Sequence, residues 1–94
     1  MEFSQRIRAL RLEKGLTMEE ASAAIQQLTG VKISKGQLSK WESGKELCSL
    51  SNSVAIAIFY GVSIDYLIGL TDDPKPSSMT RMIAYLEKIR EANK

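Results

Sequence analysis

Ninety-four residues, 44% of them hydrophobic and carrying a formal net charge of +2, leave room for one modest core and an appendage, not for a second full domain. A single cysteine, Cys48, and no histidine exclude an internal disulfide and a Cys/His zinc site, and Cys48 reads as a small buried apolar residue. No apolar run is long enough to span a bilayer and Met1-Glu2-Phe3-Ser4 lacks a signal peptide's apolar core, so the expected location is the cytoplasm, away from any membrane.

Phe3, Ile7 and Leu10 recur at helical spacing and Gly15 ends the run, which predicts a first helix over Phe3 to Lys14, basic on its outer side through Arg6 and Arg8. Arg11 lies one position beyond Leu10, at the edge of the apolar stripe. It either turns inward to an acid on a neighbouring element or stays solvated. Thr17-Met18-Glu19-Glu20 is a capping box and opens a second helix, whose apolar face runs through Ala21, Ala24, Ile25 and Leu28 and stops near Thr29-Gly30. The small residues 21–24 let another helix approach closely. Val31-Lys32-Ile33 alternates as a connector leaning on the core does.

Ser34 caps a third helix of about two turns, Leu38 and Trp41 form its apolar face, and Gly44 stops it. The opposite face carries Lys35, Gln37, Ser39 and Lys40, with no carboxylate before Glu42. Those side chains suit phosphate oxygens and the base edges of a DNA major groove. Trp41 could also serve as a stacking platform for a single strand, but its spacing from Leu38 assigns it to the core.

A fourth helix covers Leu50 to Tyr60, with Ser49 as its cap, Val54, Ala57 and Ile58 among its apolar residues, and Gly61 as its stop. Ser63 caps a short fifth helix, Asp65 lies favourably near its positive end, and Gly69 ends it. The expected fold is an all-α bundle of five short helices. Residues 71–78 hold both prolines and read as a linker. Beyond it, Met79, Met82, Ile83, Leu86 and Ile89 stripe a final helix over Met79 to Ala92. A lone helix of that length is marginal in water, so the stripe calls for a partner, the bundle or another copy of the chain, with another copy favoured.

Charge is unevenly spread. Lys32, Lys35, Lys40 and Lys45 face Glu42 alone in residues 32–45, whereas residues 46–73 hold Glu46, Asp65, Asp72 and Asp73 and no cation. A polyanion is drawn to the first surface and repelled by the second. Enzymatic chemistry is not expected: the serines have no histidine beside them, the acids are scattered, and no metal, nucleotide or phosphate-loop motif is present. No cofactor is implied.

Arg11 to Gly15 with Leu16-Thr17, then Ser39-Lys40-Trp41-Glu42-Ser43-Gly44-Lys45, then Tyr60-Gly61-Val62-Ser63 and Asp65-Tyr66-Leu67-Ile68-Gly69, resemble the helix-turn-helix domain of the phage repressor and Cro class, the XRE family. The resemblance covers residues 3 to about 70. It implies a lambda-repressor-like DNA-binding domain over 1–70, a linker over 71–78 and an additional C-terminal amphipathic helix over 79–94. In that family the third helix enters the major groove. Carried over, Lys35, Gly36 and Lys40 fall at base-reading positions with Gln37 and Ser39 beside them. Ser43 and Lys45 fall where the chain grips phosphate, and Thr17 and Ser34 join them at the helix starts. Arg11 and Glu42 match a pair that bridges the first and third helices.

Three departures stand out. The loop into the third helix is longer than in common members. Met18 replaces a backbone-touching glutamine, and Gly36 brings no side chain to a reading position. The implied function is a sequence-specific, double-stranded DNA-binding transcriptional regulator, a repressor acting as a homodimer on an inverted repeat in a bacterial or phage setting. The alternative is an antitoxin or anti-regulator whose C-terminal helix binds another protein.

Overall fold

The computed structural model describes residues 2–75 and Arg90, and its described part contains five helices: α1 Glu2–Glu13, α2 Met18–Thr29, α3 Lys35–Ser43, α4 Leu50–Tyr60 and α5 Ile64–Leu67. Each start from α2 onward is made by a hydroxyl residue. Thr17, Ser34, Ser49 and Ser63 hold extended backbone and accept, through the side chain, the amide N–H three residues on. That satisfies one of the donors a helix start leaves orphaned. The capping box at Thr17 and Glu20 is present, and a second one, unforeseen, links Ser34 and Gln37. Gly30 and Gly44 close α2 and α3 at φ of 75° and 77°, the left-handed conformation that a side chain would strain.

Ile7, Ile25, Ile33, Ile56 and Leu67 are the largest fully buried side chains, joined by Phe3, Leu38, Trp41 and Val62. Cys48 is half-buried and packs against the edge of this core, where burial pushes its thiol pKa up. Leu28 departs from expectation and is exposed. The buried positions of α2 are Ala21 and Ile25, and the next place on that line is Thr29. An i, i+4 line leaves Leu28 one step off the core face.

α3 packs on α1 and α2, α2 also packs on α4, and α5 packs on α1 and α4. The long connection between α2 and α3 is tied down. Ile33 is buried, its carbonyl accepts the Ser22 hydroxyl, and Thr29 Oγ1 accepts the Val31 N–H at 3.2 Å while donating to the Ile25 carbonyl at 2.7 Å. A longer loop therefore still holds the two helices in a defined relation.

Arg6 corrects the expected basic outer side of α1. Its side chain is 15% exposed and donates to the carbonyls of Tyr66 and Thr71, both at 2.6 Å, to Asp72 at 2.7 Å and to Glu2 at 3.0 Å. The guanidinium also lies 4.2 Å from the Tyr66 ring centroid. Burial opposes its charge, but the Asp72 and Glu2 carboxylates more than offset that, so its pKa is raised. The Ser63 N–H donates to the Pro74 carbonyl at 3.2 Å. The first half of the expected linker is thus a strap on α1 and α5. The helix expected over 79–92, including Met79, Met82, Ile83, Leu86 and Ile89, lies outside the described residues apart from Arg90.

Candidate nucleic-acid interface

Burial of Leu38 and Trp41, each 3% exposed, decides which way α3 faces. With that stripe committed to the core, Lys35, Gly36, Gln37, Ser39, Lys40 and Ser43 are all exposed on one continuous surface.

The rotation of α3 is locked by an ion pair. Arg11 Nε and Nη2 donate to Glu42 Oε2 and Oε1 at 2.8 and 2.9 Å, and Nη1 donates to the Leu16 carbonyl at 2.8 Å. The two side chains are only 10% and 4% exposed. The hydrogen bond to Glu42 raises the Arg11 pKa despite burial. Tyr60 stands in the same field: burial first, then the Glu42 charge, pushes its phenol up to about 12. The Tyr60 phenol is therefore neutral at ordinary pH, and the Arg11–Glu42 pair joins α1 to the end of α3.

Both lysines on the α3 surface have acidic companions. Lys35 Nζ lies 3.3 Å from Glu19 Oε1, in the first turn of α2, and Lys40 Nζ lies 3.4 Å from Glu46 Oε1, in the connection to α4. Gln37 accepts the Ser34 N–H at 2.9 Å, so its amide NH2 remains as the outward donor. Thr17 and Ser34 accept N–H groups through their hydroxyl oxygens, and the Thr17 hydroxyl also favours the charged Glu20 carboxylate, which leaves the Ser34 hydroxyl proton as a donor for an anion. Ser43 differs: its hydroxyl donates to the Lys40 carbonyl at 3.1 Å. Ser39 and Lys45 are exposed. At Gly36 an added Cβ would sit in ordinary contact with Ser34 Oγ at 3.9 Å and clash with nothing.

Arg8 belongs with this surface, although its sequence position marked it only as outwardly basic. It lines a cleft with Met18, Ser39, Glu42 and Ser43, between α1, the start of α2 and the second half of α3. The signal was available in its spacing. Arg8 lies three residues before Arg11, which reaches α3, so the two share a side of α1. Among the described residues no cluster of metal-ligating side chains occurs and no helix is long and apolar enough to cross a membrane.

Comparison with known proteins places this geometry in a lineage. The family model described as Helix-turn-helix, HTH_3, matches residues 7–67. The chain is 36% identical over 87 residues to an uncharacterised HTH-type transcriptional regulator, YobD, of Bacillus subtilis, covering 92% of this chain and 72% of the relative. It is 33% identical over 89 residues to the cryptic phage CTXphi transcriptional repressor RstR of Vibrio cholerae, covering 92% and 75%. The HTH-type transcriptional activator BcrR of Enterococcus faecalis is 34% identical over 95 residues, and the match spans 44% of that protein. No solved structure matches the chain. With its five helices, its capped α2 and α3 and a family match over most of its length, the chain belongs to the Cro/C1-type helix-turn-helix family.

Proposed function

We propose that this protein is a sequence-specific, double-stranded DNA-binding transcriptional repressor that acts in the cytoplasm as a homodimer on an inverted repeat. The observation that carries the reading is the outward face of α3, held by Leu38, Trp41 and the Arg11–Glu42 pair and offering Lys35, Gln37, Ser39 and Lys40. With α3 in the major groove, Lys35 and Lys40 reach guanine acceptors and the Gln37 amide reaches a base edge, each good pair worth about 1 to 3 kcal/mol of discrimination. Thr17, Ser34 and Lys45 supply phosphate contacts, and Ser43 joins them once its hydroxyl turns away from the Lys40 carbonyl. Gly36 supports the same docking: it puts no side chain between the α3 backbone and a nucleic acid, so the two can come close.

The repressor sense follows RstR, a phage transcriptional repressor 33% identical to this chain over 89 residues. Residues 79–94 are assigned to dimerisation through Met79, Met82, Ile83, Leu86 and Ile89.

Selection from a random duplex library tests the whole reading. One inverted repeat should emerge and bind far more tightly than a scrambled duplex, with affinity falling steeply in salt. Enrichment of no sequence overturns it. On the selected duplex, Lys40→Ala should abolish preference over the scramble while leaving the helical circular dichroism unchanged. Deleting residues 79–94 should weaken operator binding; untouched binding would instead assign the segment to a foreign protein, as in an antitoxin.

A further inference from the structure

The two base-reading lysines are each met by a carboxylate from outside α3. Glu19 comes from the first turn of α2 and Glu46 from the α3–α4 connection, so the pairings arise at two unrelated places in the chain. The side chains of the two acids are 75% and 52% exposed, and neither joins the core. Beside a polyanion their charges are unfavourable, which is a reason to ask what they do there.

We propose that Glu19 and Glu46 are specificity-determining residues that hold Lys35 and Lys40 away from non-cognate DNA. The inference rests on the reading of Lys35 and Lys40 as base contacts. An ammonium is a compact point charge with three donors, and unmasked it binds any phosphate it meets. Paired with a carboxylate, it presents little net charge at a distance. Exposed pairs are weak, so a correctly placed guanine edge, with two acceptors, draws the lysine off its carboxylate. A wrong base offers no such reward and leaves the carboxylate facing the groove. Discrimination then comes from a penalty on wrong sites as well as from contacts to the right one.

The test uses the full chain with two fluorescein-labelled duplexes, the one that wild-type protein selects and a scramble of the same length. Glu19→Gln and Glu46→Gln should each tighten binding to the scramble by roughly threefold or more and steepen its salt dependence by about one unit, as a freed lysine engages phosphate. Affinity for the selected duplex should rise less, so the specificity ratio falls. The effect of Glu19→Gln should vanish in a Lys35→Ala background. Asp65→Asn, the same charge change on α5, should leave the ratio alone. An equal gain from Asp65→Asn, or persistence of the Glu19→Gln effect without Lys35, makes this a net-charge effect and overturns the proposal. Wild-type protein that selects a duplex while both glutamine variants leave scramble affinity unchanged overturns the filter alone. Wild-type protein that enriches no sequence overturns the base-reading assignment and the filter with it.

Discussion

Arg11 carries its charge to a site where the residue is 8% exposed, and Glu42 is the reason it can stay there. A buried pair adds little over a well-packed apolar pair, but stranding one member is costly. Glu42→Gln removes the anion, keeps the shape and leaves Arg11 uncompensated. Urea unfolding should show a loss of roughly 3 to 5 kcal/mol, and a loss below about 1 kcal/mol would mean that water reaches the guanidinium. Arg8, on the same side of α1, is exposed and borders the cleft beside Ser39 and Ser43. Its expected role is a phosphate contact that takes over from the missing glutamine at Met18. Arg8→Ala should weaken selected and scrambled duplexes alike and reduce the salt slope by about one. A loss confined to the selected duplex would make it a base reader instead.

At the scale of elements, the start of α2 couples structure to pH. Glu20 accepts the Thr17 N–H at 2.9 Å, and this bond, with the Thr17 hydroxyl, holds its pKa below the usual 4.5. A carboxylate with a depressed folded pKa stabilises fully above its unfolded value. That stabilisation is lost as pH falls through the folded value. Glu20→Gln keeps the capping geometry and removes the titration. Wild-type stability should therefore decline relative to the variant between about pH 5 and pH 3, read by urea unfolding across that range. Parallel declines would show that the box does not form in solution. The same local logic made α3 legible: cap, apolar pair and stop all fall within residues 34–44. Its second capping box was missed because glutamine at that position also looked outward.

For the whole molecule, Arg6 is the residue that gathers distant chain. Its partners at Tyr66, Thr71 and Asp72 lie 60, 65 and 66 residues away in sequence. They close the bundle by fastening the segment after α5 to α1, and so set where the chain leaves for residues 76–94. Arg6→Ala should speed amide exchange at Ser63, whose N–H is bonded to Pro74 in the strap, while amides within α3 keep their protection. Equal loosening of α3 would mean that Arg6 supports the entire fold rather than the strap.

The five helices of the described bundle, their approximate limits and the core face of α3 followed from the sequence itself, because caps, glycine stops and a 3.6-residue apolar period act over neighbours within about one turn. Tyr60–Gly61 and Ser63 were legible on those grounds alone. Tertiary structure decided which charged side chains face solvent and which meet each other. Arg6 turned inward, Arg8 came to the cleft, and Lys35 and Lys40 acquired Glu19 and Glu46. Leu28 fell outside the core because Thr29 took the line from Ile25. A long polar side chain has no local rule that chooses its partner. The choice waits until packing brings remote carbonyls and carboxylates within reach of its donors.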